Sequence, residues 1–194
     1  MQTMRDNFLD LVYNEMLQDD TIYFLTADFG APALDRMRAE FKDRVLNVGV
    51  AEQNLINTAV GLAKEGATVF CFAIAPFITM RCFEQIRTCV SVFSLYKNIK
   101  IQLIGVGAGF SYDLSGPTHH CLEDINIIRC LPRVMVHSPA DTGLFSTAFR
   151  YFMDNGSIVY HRFDSKPQTV LEIDETNVFE DGFRQLLKEE GALE

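Results

Sequence analysis

Three groups of residues in this 194-residue chain have the side chains and spacing to do chemistry. The first is Glu52. A short apolar run with a glycine, LNVGV at 46–50, leads into a helix-forming stretch whose first turn carries this acid. A carboxylate there complements the positive end of the helix dipole, which is its routine use. The helix then runs through Ala59, Gly61 and Ala63 toward Gly66, a face flat enough for close packing. An acid so placed can also be held rigidly at an interface as a hydrogen-bond acceptor. Spacing alone leaves both readings open. The second group is His119 with His120, in GPTHH at 116–120. An imidazole suits proton transfer near neutral pH. The rival readings are a surface histidine or a metal ligand with His120 and Glu123, and two histidines with one carboxylate are a weak metal pattern. The third is GVGAG at 105–109, which lacks the dinucleotide spacing because position 110 is Phe. Close approach of backbone to a substrate is the better reading of it.

Alternating apolar and amphipathic stretches must position these groups. Residues 4–17 place Phe8, Leu11, Val12 and Leu17 at helical spacing. Short β-rich runs at 21–26, 45–48 and 68–73 alternate with helices that Pro32 opens and Gly66 closes. A long helical region is expected over 77–96, and a buried strand over the β-branched run 99–106. The Gly/Ser/Pro-rich loop 107–120 leads to a helix over 122–130, then strands at 133–137 and 157–162 flank a helix over 141–153. About six strands alternating with helices predict an α/β fold, a parallel doubly wound sheet with helices on both faces. Ligands of such sheets lie beyond the carboxyl ends of the strands. Asp28, the 73–77 segment, the 107–119 loop and Glu52 all fall on that edge.

With 48% hydrophobic and 22% charged residues, the chain fits one α/β domain over 1–165 and an acidic extension over 166–194, with a short helix expected at 183–188. The net charge of −9 argues against nucleic acid or an anionic membrane as partner. No run reaches the roughly 18 uncharged apolar residues of a membrane span. The first ten residues are polar and mixed in charge, unlike a secretory leader. Cys71, Cys82, Cys89, Cys121 and Cys130 show no metal spacing and are expected as buried free thiols, which reads as cytoplasmic.

Four motifs carry a resemblance. LTADFG at 25–30, GVAEQN at 49–54, FAIAPFITMRCFEQIR at 72–87 and SGPTHHCLEDINIIRCLP at 115–132 occur in the order and spacing of transketolases. Over about 3–165 the chain resembles the pyrimidine-binding domain of that family of thiamine diphosphate enzymes. The resemblance implies that Glu52 hydrogen-bonds N1′ of the aminopyrimidine and favours its imino tautomer, so that C2 of the thiazolium can lose its proton. It implies that Phe77 stacks on that ring, with Ile74 where a second aromatic is usual, and that Asp28 lies near the cofactor. The 16 Phe residues make an ordinary core role for Phe77 a real rival. His119 matches a histidine beside the reacting oxygens of the substrate, whereas His120 reads as structural. Arg5 and Arg162 match arginines that contact substrate phosphate, for which the guanidinium fork is suited; surface ion pairing is the rival reading.

Two departures bear on the substrate. Gly107 stands where transketolases usually carry a histidine, and Ser115 where they carry an aspartate. A ketose other than the usual pentose phosphates, or a modified sugar, follows. The chain also has no Gly-Asp-Gly motif. The resemblance therefore implies that the diphosphate and its Mg²⁺ are held by an N-terminal-type partner subunit, in an α2β2 heterotetramer active on sugar substrates. The expected activity is transfer of a two-carbon ketol unit. The alternatives are a subunit like deoxyxylulose-phosphate synthase or a 2-oxo-acid dehydrogenase, and a non-catalytic assembly protein.

Overall fold

The computed structural model describes residues 3–155 and 158–167. Six strands, β1 (Ile22–Thr26), β2 (Val45–Asn47), β3 (Thr68–Ile74), β4 (Lys100–Val106), β5 (Val134–His137) and β6 (Ile158–Phe163), form one sheet. Every pairing is parallel and the spatial order is β2-β1-β3-β4-β6-β5. The fold class expected from the alternating pattern is the one found. In the centre, β3 is buried on both faces and β4 is buried throughout beyond Lys100. Their continuous apolar runs reflect this double burial.

Each helix begins where its sequence supplies a start signal. Thr3 caps α1 (Met4–Gln18) by accepting from the Asp6 N–H at 3.1 Å, and Pro32 opens α2 (Pro32–Glu40). The Asp141 carboxylate accepts from the Leu144 N–H at 2.9 Å at the head of α6 (Thr142–Asn155). Gly66 follows α3 (Glu52–Lys64) with φ of +99°, the left-handed conformation that terminates helices. Helices α1, α2 and α6 bury one face of the sheet around a phenylalanine-rich core that includes Phe8, Phe24, Phe70, Phe145 and Phe163. The opposite face is covered by α3, by the helical stretch after β3 and by α5 (Asp124–Ile128).

Three expectations change. The region from Phe77 is not one helix. Phe77–Arg81 winds as a π-helix, α4 (Phe83–Gln85) is a single α-turn, and Ile86–Val92 is π-wound again. The Thr79 hydroxyl donates to the Ala75 carbonyl at 2.6 Å, a side-chain bond that competes with the regular ladder. Wide turns of this kind concentrate at functional sites. The helix expected over 122–130 is confined to α5, since Pro132 disfavours helical backbone just before it. The small residues of α3 do not share a face: Ala59 and Ala63 are buried in the core, whereas Gly61 is exposed with open space around it.

Of the cysteines, Cys71, Cys82 and Cys121 are buried, but Cys89 is half-buried and Cys130 exposed. Among the described residues no helix is long and apolar enough to cross a membrane. After β6 the chain turns back, with Pro167 bridging Thr3 and Ser165 bonded to Ser111. The helix expected at 183–188 lies outside the described residues.

Candidate functional site

The carboxyl ends of β1, β3, β4 and β6 open onto one edge, and the chemistry-bearing residues collect there. Glu52 sits at the first position of α3 with only 3% of its surface exposed. Its partner is Arg81, whose Nη1 donates to Glu52 Oε2 at 2.6 Å. The turn that delivers α3 to this place is pinned by Asn47. Asn47 Oδ1 accepts from the N–H groups of Asp28 (2.9 Å) and Gly49 (3.0 Å), and its Nδ2 donates to Asp28 Oδ1 at 3.2 Å. Asp28 follows β1 at φ +54° and is exposed, so its acid acts on the turn as well as on the rim of the site.

Ile74 ends β3, and Phe77 begins the π-wound turn beyond it. The Arg81 guanidinium lies 4.3 Å from the Phe77 ring centroid, which is cation–π distance. Phe77 also meets the His119 ring edge-on at 5.2 Å, and Tyr112 meets the same imidazole edge-on at 6.2 Å. Thr118 Oγ1 lies 3.0 Å from His119 Nδ1 and fixes the orientation of the imidazole. Glu52, Phe77, Arg81, His119 and Tyr112 thus form one chain of contacts along the edge. His120 points elsewhere: its ring packs edge-on to Phe110 at 4.9 Å, with Nε2 buried and lacking a partner. No group of three or more His, Cys, Asp or Glu among the described residues is arranged to hold a metal ion.

A buried polar cluster supports the floor. Asp124 is fully buried and receives the Tyr160 hydroxyl at 2.8 Å and Arg162 Nε at 2.7 Å. Arg162 Nη2 donates further to the Cys121 carbonyl at 3.3 Å. Burial, reinforced by the Asp124 charge, pushes the Tyr160 phenol well above its usual range and the Cys121 thiol up to about 12. Burial pushes the Cys82 thiol up to about 12 as well, with Glu52 adding to it. Arg162 also lines a crevice of about 170 Å³ with Met4, Ala108, Ser138, Pro139 and Asp164. Arg5, at the head of α1, pairs with Asp6 at 2.9 Å, and its charge reaches the Tyr112 phenol, which burial raises and Arg5 lowers.

Residues 1–161 match the family described as "Transketolase, pyrimidine binding domain". The chain belongs to this family. It is 31% identical over 191 residues to the 6-deoxy-6-sulfo-D-fructose transketolase subunit of Clostridium sp. (strain MSTE9), covering 98% of this chain and 58% of that one. It is 34% identical over 127 residues to one of the subunits of the apulose-4-phosphate transketolase of Actinobacillus succinogenes, covering 66% of this chain and 40% of that one. The chain thus spans only about half the length of these relatives. A structure titled as a split gene transketolase, inactive beta4 tetramer, superposes with a TM-score of 0.73 over 90% of this chain and 55% of that one, at 24% identity. A Pichia stipitis transketolase mutant superposes with a TM-score of 0.82 over 98% of this chain and 30% of that one, at 16% identity. Both likenesses establish the fold.

In this pyrimidine-binding domain the residues fit an aminopyrimidine ring. A buried carboxylate offers the acceptor, and Phe77 and Ile74 offer apolar contact. Arg81, a planar donor lying over Phe77 while bonded to Glu52, is a stand-in for such a ring. Sequence reasoning passed over Arg81, although it lies inside a motif that carried the resemblance. It also passed over Tyr112, which explains Gly107. A Cβ on Gly107 would come within 2.2 Å of the Tyr112 ring, and the residue sits at φ +93°. A Cβ on Gly105 would likewise come within 2.8 Å of the Tyr160 ring and 3.0 Å of the Ala75 backbone. These two glycines therefore make room for protein rings, not for a substrate against the backbone as expected.

Proposed function

We propose that this domain is the pyrimidine-binding half of a two-component thiamine diphosphate-dependent transketolase. The single observation that carries the reading is Glu52, an acid 3% exposed at a helix start, on the ligand edge of the sheet and joined through Arg81 and Phe77 to His119. Glu52 would accept a hydrogen bond from the N1′–H of the aminopyrimidine in its imino form, with Phe77 and Ile74 against the ring and Asp28 at its rim. Thiamine diphosphate, when bound, supplies the carbon nucleophile that this chain lacks. Low dielectric around Glu52 strengthens such a bond.

His119 is the residue proposed to move a proton at the reacting oxygen of a sugar. Thr118 and the edges of Phe77 and Tyr112 hold its ring, so the imidazole arrives oriented. Arg5 and Arg162 are proposed to face the anionic end of the substrate, Arg162 with its Nε already anchored on Asp124. The substrate is proposed to be a ketose outside the usual pentose phosphates, since Tyr112 fills the place of the histidine usual at Gly107. The relatives named for 6-deoxy-6-sulfo-D-fructose and for apulose-4-phosphate support that reading. The diphosphate and Mg²⁺ are proposed to sit on a separate N-terminal-type subunit, in an α2β2 assembly; the naming of those relatives as subunits supports it.

The test reconstitutes the chain with a diphosphate-binding partner and assays ketol transfer with and without thiamine diphosphate across several ketoses. Glu52→Gln is expected to lower the rate by at least about 100-fold while the melting temperature is kept. A fully active Glu52→Gln assembly would refute the assignment.

A further inference from the structure

The two groups proposed to receive the aminopyrimidine are already joined by one side chain. Arg81 donates to Glu52 Oε2 at 2.6 Å, and the same guanidinium lies 4.3 Å from the Phe77 ring centroid. A guanidinium is flat, carries N–H donors in its plane and stacks on aromatic faces. An aminopyrimidine bound to an acid and a phenylalanine uses the same three properties.

We propose that Arg81 is a displaceable plug in the pyrimidine site, a positioning residue that holds Glu52 and Phe77 in place and must swing out before the ring binds. The inference rests on the function proposed above. Its physical basis is asymmetry of burial across the ion pair: Glu52 is 3% exposed, whereas the Arg81 side chain is 44% exposed. A buried carboxylate without a partner is costly, so Glu52 needs a donor at all times. Arg81 can leave at low cost because its charge is already half in water. It hangs from the backbone at the end of the π-wound turn, beside the Cys82 junction with α4, and its own carbonyl is held by Gln53 Nε2 at 3.2 Å. The main chain can therefore stay fixed while the side chain rotates. Exchange of the guanidinium for a ring that carries a proton on N1′ keeps Glu52 paired throughout.

Competition of this kind has a signature that a merely structural ion pair lacks: removing Arg81 tightens binding of the ring. The full-length chain is titrated with thiamine, a probe that carries the aminopyrimidine without the diphosphate, up to tens of millimolar. Affinity is read by calorimetry, and Arg81 by its Nε–H signal in NMR, assigned from its loss in Arg81→Lys. Arg81→Ala is expected to bind thiamine at least five-fold more tightly than the parent chain, with Arg81→Lys between them. In the parent chain the Arg81 Nε–H signal is expected to move toward the position of a solvated arginine as thiamine saturates. Equal or weaker binding by both folded variants overturns the proposal, as does an Arg81 signal unmoved at saturation or the lack of saturable binding by Arg81→Ala. Glu52→Gln separates the two layers. If it binds thiamine as well as the parent chain, the pyrimidine assignment itself fails; if it binds weakly while Arg81→Ala gains nothing, only the plug fails.

Discussion

Two histidines inside the sheet tie the stability of this fold to pH. His161 on β6 is 1% exposed and ringed by Phe8, Phe145, Phe152 and Phe163. Its Nε2 lies 2.7 Å from Gln102 Oε1 and its Nδ1 3.0 Å from Nδ1 of His137 on β5. With Nε2–H donating to the amide oxygen, His161 Nδ1 is left to accept from His137 Nδ1–H. Both rings are neutral in this arrangement, and a proton on His161 would put two donors face to face. Burial accordingly holds His161 well below the ordinary range, with the neighbouring histidine adding to it, and lowers His137 to about 4. The unfolded chain takes up these protons near pH 6.5. Below that pH it binds more protons than the folded chain, so stability is complete above about pH 6.5 and is lost as pH falls toward 4. For His137 a fall from 6.5 to about 4 corresponds to about 3.5 kcal/mol at about 1.4 kcal/mol per pH unit, reduced to about 2 kcal/mol because the residue is half-buried. His161 acts in the same direction. Urea unfolding of the parent chain, His137→Gln and His161→Gln from pH 7.5 to 4.5 measures the effect. The advantage of the parent chain over His137→Gln is expected to shrink by up to about 2 kcal/mol across that range, a shift of up to about 4–8 °C in Tm at about 2–4 °C per kcal/mol, and the advantage over His161→Gln to shrink in the same direction. An advantage that stays constant with pH would refute the linkage.

Other perturbations probe the floor and wall of the site. Arg162→Met leaves the fully buried Asp124 without a cationic partner, and is expected to destabilise by about 3–5 kcal/mol in denaturant unfolding. The double change Asp124→Leu with Arg162→Met is expected to recover most of that, which a role in substrate contact alone would not produce. Gly107→Ala forces a Cβ to within 2.2 Å of the Tyr112 ring at φ +93°, with an expected loss of about 2–4 kcal/mol. Tyr112→Ala should relieve the contact part of that loss and leave the backbone part, so calorimetric melts of the double variant separate the two.

The order of strands and helices was legible in the sequence because the short β-branched apolar runs at 68–73 and 99–106 alternate with stretches of helical spacing. Start signals were equally local: Pro32 and Glu52 each mark a helix by its own chemistry. The π-wound stretches were hidden because wide turns keep nearly the same apolar spacing as a regular helix, and the Thr79 hydroxyl bonded back to Ala75 depends on which way a side chain turns. Glu52, Phe77 and His119 could be picked out by motif, but the edge-on contact of Phe77 with His119 depends on tertiary packing. Arg81 and Tyr112 escaped for the same reason. An arginine in a helical run is ordinarily a solvated side chain, and only the fold shows it reaching across to the head of α3. Arg162 is a mixed case, since its guanidinium joins a buried acid 38 positions away as well as the crevice.

The outermost strands of the sheet, β2 with three residues and β5 with four, are its shortest. An open sheet leaves a row of unpaired amide and carbonyl groups at each margin, and long flat margins recruit foreign strands. Here the margins are too brief to template such growth. Among the described residues, strand addition is thereby disfavoured at both sides of the sheet.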